Sequence, residues 1–169
     1  MISTVLAENP TLARVLLGVA VVVTALLGAL LVRRRRVLLT LAVVGLLGVL
    51  ALMLSPSGGR SGTFCTVQLS VPFRGLDTLA NIALTVPLAL FAALWARRPL
   101  LVLGAVSGLS ALVELTQAVA PALGRACDTD DWFMNTIGAG LGAALAGLVL
   151  AVRVAPRPEK RVRRPAPLP

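Results

Sequence analysis

Residues 114–142 read ELTQAVAPALGRACDTDDWFMNTIGAGLG, and here charged and amide side chains interrupt two long apolar runs. Four of the seven acidic residues in the chain lie in this stretch: Glu114, Asp128, Asp130 and Asp131. A carboxylate inside a membrane-spanning segment costs several kcal/mol of insertion free energy, so it usually has a functional or pairing reason. The stretch therefore predicts two spanning helices joined by a polar loop, with a candidate site where they meet.

The composition indicates an integral membrane protein. Of the 169 residues, 57% are hydrophobic and 14% are charged, and the mean hydropathy is +0.92. A net charge of +9 could suggest nucleic-acid binding, but only 4% of the residues are aromatic and tyrosine is absent, so base-stacking surfaces are missing. We therefore expect no nucleic-acid partner. Because histidine is absent, histidine-based acid–base catalysis and histidine metal sites are excluded.

Five apolar runs are each long enough to cross a hydrocarbon core of about 30 Å at about 1.5 Å per residue. They cover residues 15–32, 37–54, 78–96, 100–120 and 132–152. The sequence therefore predicts an all-α integral membrane protein with five transmembrane helices.

The distribution of basic residues predicts the orientation. Twelve of the 16 basic residues lie in the clusters 33–36, 97–98 and 153–164, which would all be on one side of the membrane. The positive-inside rule then places the N-terminus outside and the C-terminus in the cytoplasm.

This orientation gives four predicted regions. Residues 1–54 form two transmembrane helices with a basic cytoplasmic loop, and residues 55–77 form an extracytoplasmic loop. Residues 71–152 contain a core of three transmembrane helices, and residues 153–169 form a basic, proline-rich tail that we expect to be disordered and close to anionic lipid.

Polar residues of the last three spans are predicted to lie at a similar depth near the outer surface. Asp77 and Asn81 are four residues apart, as are Asp131 and Asn135, so each pair shares one helix face. Glu114 lies in the outer third of the fourth span and shares a face with Gln117. We therefore expect an outward-facing polar pocket between these three spans.

The residue types in this pocket leave several chemistries open. The candidate catalytic residues are Glu114, Asp128 and Asp131. Arginines close to helix N-termini suit the capture of a phosphate or carboxylate. The candidate ligand-binding residues are Arg74, Asn81, Gln117, Arg125 and Asn135.

Two structural interpretations compete with a functional site. The acidic and amide residues could form an ion-pair network around Arg125, and Asp130 and Asp131 could serve as N-caps of the fifth helix. Asp128, Asp130 and Asp131 could also supply oxygen ligands to Mg²⁺ or Ca²⁺, but the glycine and distal glutamate of a calcium loop are missing. We therefore expect neither a metal nor another cofactor.

Small residues and cysteines predict further contacts. The stripes Gly138-x3-Gly142 and Gly104-x3-Gly108 are typical of closely packed helices. Cys65 and Cys127 both fall in predicted outward loops, where disulfides are permitted, so we expect them to form a disulfide that braces the pocket mouth.

Several segments of residues 71–149 together form a specific pattern. They are Val71-Pro72-Phe73-Arg74, Asn81 with Pro87, Glu114-x2-Gln117, Arg125-x2-Asp128-x-Asp130-Asp131 and Asn135-x2-Gly138. This pattern resembles the VanZ-like membrane family, which is named for a protein accessory to teicoplanin resistance. Spans one and two contribute little to the resemblance, and Cys127 stands where the family often has an aromatic residue.

The resemblance implies a multi-pass protein of the bacterial plasma membrane that acts in the cell envelope. Its partners would be membrane lipid and a cell-wall precursor or glycopeptide. We expect it to modulate glycopeptide susceptibility or to handle an anionic lipid-linked wall component. The alternatives are a membrane-embedded hydrolase or transferase that uses Glu114 or an aspartate, and a structural or partner-binding membrane subunit.

Overall fold

The computed structural model describes residue 6, residues 8–56 and residues 65–154. It contains five long helices, and a short 3-10 turn over Pro121–Leu123 precedes the last of them. The helices are α1 (Pro10–Leu31), α2 (Arg35–Leu54), α3 (Leu76–Ala96), α4 (Pro99–Val119) and α5 (Thr129–Val154). Each is long and apolar enough to cross a membrane, which confirms the prediction of five spans in an all-helical protein. The side on which each terminus lies stays a prediction.

Several predicted boundaries need correction. The tetra-arginine was predicted to be a loop, but α2 already begins at its third arginine, Arg35. Helix α5 begins at Thr129 rather than at residue 132, because the residue before it provides a side-chain cap, as described below. Residues 155–169 of the predicted disordered tail lie outside the described residues, as do residues 57–64 of the predicted outer loop.

Prolines and a left-handed residue set the other helix ends. Pro10 and Pro99 begin α1 and α4, where a missing N–H is tolerated and the fixed φ of proline suits the first turn. Arg97 has a φ of 56°, and its N–H returns to the carbonyl of Ala93, which ends α3. Two residues therefore suffice to reverse the chain from α3 into α4.

Helix α3 lies at the centre of the described structure and contacts all four other helices. Of its spanning segment 56% is buried inside the protein, compared with 11% for α1. Its buried side chains, which include Val86, Leu90 and Leu94, pack in the main apolar clusters with residues of every other helix. Since α3 and α5 begin near each other, the polar residues of their first turns are brought together.

Glycines allow α3 and α5 to pack with their backbones in contact. A Cβ on Gly138 would lie 2.6 Å from the carbonyl oxygen of Ile82, and one on Gly142 would lie 2.5 Å from that of Val86. The predicted close-packing role of this stripe is confirmed. The same prediction was wrong for Gly104 and Gly108, where a Cβ would meet nothing within 4 Å.

Candidate functional site

The loop that leads into α3 and the loop that leads into α5 lie side by side. Cys65 and Cys127 form the predicted disulfide, with their Cα atoms 4.5 Å apart. Beside it, the Thr66 N–H donates to the Cys127 carbonyl (2.9 Å) and the Thr129 N–H donates to the Thr66 carbonyl (3.0 Å). One covalent bond and a short parallel bridge between Thr66 and Asp128 thus fix the two loops to each other.

Asp128 is the N-cap of α5. Its Oδ1 accepts a hydrogen bond from the Asp130 N–H at 2.8 Å, which satisfies one of the unpaired donors of the first turn. Its Oδ2 accepts from Gln68 Nε2 at 2.7 Å. The prediction that Asp130 and Asp131 cap this helix was wrong, because the helix starts earlier and both residues lie inside its first turn.

Those two aspartates instead join α5 to the chain around α3. Asp130 is buried, and its Oδ1 accepts from the Ser70 N–H at 2.6 Å. Asp131 Oδ1 accepts from Asn81 Nδ2, so the acid of one repeated motif pairs with the amide of the other. The side chains of the three aspartates thus have no partner in common.

Glu114 and Asn135 lie deeper than these residues. Both are buried, and neither lines the two polar cavities described below. Glu114 Oε2 accepts from the Asp128 N–H at 2.8 Å, and Asn135 Nδ2 donates to Ser110 Oγ at 3.0 Å. Within the described part of the chain, Glu114 Oε1 and Asn135 Oδ1 are buried with no hydrogen-bond donor. These two side chains therefore support the loop and the helix contacts from beneath.

Arg125 and Gln117 satisfy the C-terminus of α2. Arg125 donates from Nε to the Ser55 carbonyl (2.8 Å) and from its terminal NH2 to the Leu52 carbonyl (3.0 Å). Gln117 Nε2 donates to the Met53 carbonyl at 2.9 Å. The last carbonyls of a helix have no partner within it, so side-chain donors are favourable there. Between described residues, every hydrogen bond of Arg125 goes to a backbone carbonyl, so the suggested ion-pair network around it does not form.

A polar cavity of about 510 Å³ opens between these elements. Its lining includes six residues that the sequence predicted for the site, of which five are charged and one is an amide. Other lining residues come from the loop before α3. The lining residues are Gln68, Ser70, Arg74, Gly75, Asp77, Thr78, Ala80, Asn81, Arg125, Asp128, Asp130 and Asp131. A smaller cavity of about 210 Å³ shares Asn81, Arg125 and Asp131 with it and is also lined by Gln117.

The polar cavity is lined by more negative than positive side chains, and only some of these side chains already have hydrogen-bond partners. Four carboxylates and two guanidinium groups line it. Arg74 and Asp77 differ from the other four charged residues, because neither side chain makes a hydrogen bond or ion pair to a described residue. Among the described residues, one cationic and one anionic group of the cavity lining therefore have no side-chain partner.

A strained turn presents Arg74 to this cavity. Phe73 has a φ of 65° and Gly75 has a φ of 88°, and a positive φ is unusual for a bulky residue such as phenylalanine. Arg14 of α1 donates from Nε to the Phe73 carbonyl at 3.1 Å. The first helix thus holds the turn in place.

The sequence did not predict Gln68 and Ser70 as site residues. They lie in a loop without periodicity, and nothing in the sequence indicates that they face α5. Asp77 was predicted to lie near the pocket from the spacing that it shares with Asp131, although it was not named as a candidate ligand, and it lines the polar cavity.

The lining of the polar cavity supplies charged groups of both signs. Of the three catalytic candidates, Asp128 and Asp131 line the polar cavity, but Asp128 uses both oxygens in hydrogen bonds to the protein. Among the residues that the structure describes, no group of three or more cysteine or acidic side chains is arranged so that it could hold a metal ion. The cavity can accept an anion at Arg74 and a cation at Asp77.

The comparison with protein families identifies the family of the chain. The model of the VanZ/LLP1 family matches residues 39–150, which includes most of α2 and the whole polar cavity. The similarity therefore extends further toward the N-terminus than the segments recognised in the sequence. Neither a curated protein nor a solved structure gives a significant match to the chain. The family match covers well over half of the 169 residues, and the chain belongs to the VanZ/LLP1 family of membrane proteins.

Proposed function

We propose that this protein binds a lipid-linked cell-wall component in the polar cavity and thereby modulates the susceptibility of the cell to glycopeptide antibiotics. In this proposal it resides in the bacterial plasma membrane with its N-terminus outside and its C-terminus in the cytoplasm. The cavity then faces the extracytoplasmic side, where wall precursors are assembled.

The observation that carries the proposal is the availability of Arg74 at the cavity. The first turns of α3 and α5 both border the cavity, and helix N-termini attract anions through their unpaired N–H groups. A guanidinium group binds phosphate or carboxylate through two parallel hydrogen bonds. These features support recognition of an anionic group.

The excess of carboxylates refines the nature of the ligand. Four aspartates face two arginines in the cavity, so a purely anionic group would be repelled by most of the lining charges. A ligand that carries an amine close to its phosphate or carboxylate would complement both signs. We therefore propose a zwitterionic polar group, with its anion at Arg74 and its amine at Asp77.

The orientation is supported by charge. The basic clusters of the α2 and α4 N-termini lie at the opposite ends of the helices from the polar cavity. Arg35 also donates to the Trp95 carbonyl at the end of α3 (3.1 Å), so the tetra-arginine has a structural contact in addition to its effect on orientation. The positive-inside rule then directs the cavity outward.

Glycopeptide susceptibility of a sensitive bacterial host that expresses the protein tests the proposal. We expect the wild type to raise the minimal inhibitory concentration of teicoplanin and Arg74→Ala to abolish the increase. Arg153→Ala is the matched control, because Arg153 lies in the last turn of α5, far from the cavity. Equal resistance in cells with Arg74→Ala and wild type, at equal protein levels, would contradict the proposed role of the cavity.

A further inference from the structure

An apolar groove runs along the contact between α1 and α3. It has a volume of about 260 Å³, and all of its lining residues are alanine or leucine. The lining residues are Leu6, Ala13, Leu16, Leu17, Ala20, Leu76, Leu79, Ala80 and Ala83. Small residues on both helices leave this space, and α1 contributes few other buried side chains.

The groove is adjacent to the polar cavity. Ala80 lines both spaces. A third space of about 320 Å³ lies next to both, since it shares Gly75 and Asp77 with the polar cavity and Leu76 and Leu79 with the groove. The polar and apolar spaces are therefore close enough for the two parts of one ligand.

The groove runs along the helix axes. It extends from Leu76 to Ala83 on α3, which corresponds to about 10 Å along a helix that rises about 1.5 Å per residue. Both helices begin near the polar cavity, so the groove leads away from the cavity between two apolar helices that are long enough to cross a membrane.

We infer that the groove holds an acyl or prenyl chain of the ligand whose zwitterionic polar group occupies the polar cavity. The inference rests on the proposed function and identifies the ligand class as a membrane lipid rather than a soluble anion. Asp77 and Arg14 lie where the polar and apolar spaces meet, as expected for the boundary between a headgroup and its chain. A lipid has both a polar and an apolar part, so it suits the polar cavity and the groove together, whereas a purely apolar molecule would leave the polar cavity empty.

Binding of two probes to purified protein in detergent separates the chain from the headgroup. The probes are dioleoyl phosphatidylethanolamine, which has both parts, and glycerophosphoethanolamine, which lacks the chains. Ala83→Trp fills the groove without changing a residue of the polar cavity. Ala111→Trp is the matched control, since Ala111 is exposed on α4 and lines neither space.

We expect Ala83→Trp to weaken binding of the full lipid roughly tenfold, since the loss of contact with about two methylene groups suffices for this change. Binding of glycerophosphoethanolamine should be the same in wild type, Ala83→Trp and Ala111→Trp. If Ala83→Trp binds the full lipid as tightly as wild type, the groove inference is wrong and the proposed function stands. If wild type binds neither probe, the proposed function fails and the inference fails with it.

Discussion

The buried carboxylate of Glu114 is hydrogen-bonded to the loop that precedes α5. Its Oε2 holds the Asp128 N–H, and Asp128 in turn caps α5. Glu114 is 5% exposed and does not line either polar cavity. We therefore assign Glu114 a supporting role beneath the loop that forms one wall of the polar cavity.

This assignment predicts different outcomes for two substitutions of Glu114. Glu114→Gln keeps a side-chain oxygen that can accept the Asp128 N–H, so stability and glycopeptide phenotype should be retained. Glu114→Ala leaves this N–H without an acceptor, and we expect a loss of about 1–3 kcal/mol in the free energy of unfolding. SDS-driven unfolding of the purified variants measures the stability. A glutamine variant that is stable but has no phenotype would show that the charge itself is required.

The sequence predicted which polar residues lie near one another better than it predicted their contacts. The cost of carboxylates in a membrane pointed to the region 114–135, and four of its charged residues line the polar cavity: Arg125, Asp128, Asp130 and Asp131. The shared compartment of Cys65 and Cys127 predicted their disulfide, which is confirmed. Hydrogen-bond partners could not be predicted, because the loop that contains Gln68 and Ser70 has no periodicity. Arg125 was predicted to bind a ligand or to form ion pairs. Its hydrogen bonds to the C-terminus of α2 could not be predicted, because no pattern in the sequence indicates that this end of α2 lies beside it.

At the scale of helices, the contact between α3 and α5 determines the geometry of the cavity. The Asn81–Asp131 hydrogen bond lies at its outer end, and Thr85 Oγ1 donates to the Asn135 carbonyl one turn deeper, at 3.0 Å. Gly138 follows below, where the two backbones touch. A change in the separation of these helices would therefore move the aspartates relative to Arg74.

Substitution of Gly138 tests this contact. A Cβ there would overlap Thr85 Oγ1 and the Ile82 carbonyl, so Gly138→Ala should lower the free energy of unfolding by about 1–3 kcal/mol. Gly104→Ala is the control, because its Cβ would meet nothing within 4 Å, and we expect no loss of stability. SDS titration of both variants gives the comparison. Equal stability of the Gly138→Ala and Gly104→Ala variants would contradict the close backbone contact between α3 and α5.

The two glycine stripes show what a sequence pattern can and cannot predict about helices. Both have the same spacing, and only Gly138-x3-Gly142 faces another helix. Helix length and apolar composition are local properties, so the five spans were predictable. The face that a helix turns toward its neighbours depends on the other helices, which a single stripe does not encode.

At the scale of the whole molecule, charge and polarity are separated along the helix axes. Basic residues are concentrated where α2 and α4 begin, and the acidic residues of the described helices are concentrated near the starts of α3 and α5 and the end of α4. The polar cavity lies at the end where the acidic residues are concentrated, and the apolar groove lies beside it. Such an arrangement suits a lipid that enters sideways from the bilayer with its polar group at the surface.

Native mass spectrometry of the purified protein tests whether the polar cavity binds a zwitterionic lipid. The protein and its Arg74→Gln and Arg153→Gln variants would be purified from bacterial membranes under identical mild conditions. We predict that wild type and Arg153→Gln retain one zwitterionic lipid-linked species, and that Arg74→Gln retains it at least roughly tenfold less, as expected from the loss of a charge-assisted hydrogen bond. Equal retention by all three proteins, or no bound lipid in any of them, would contradict the account.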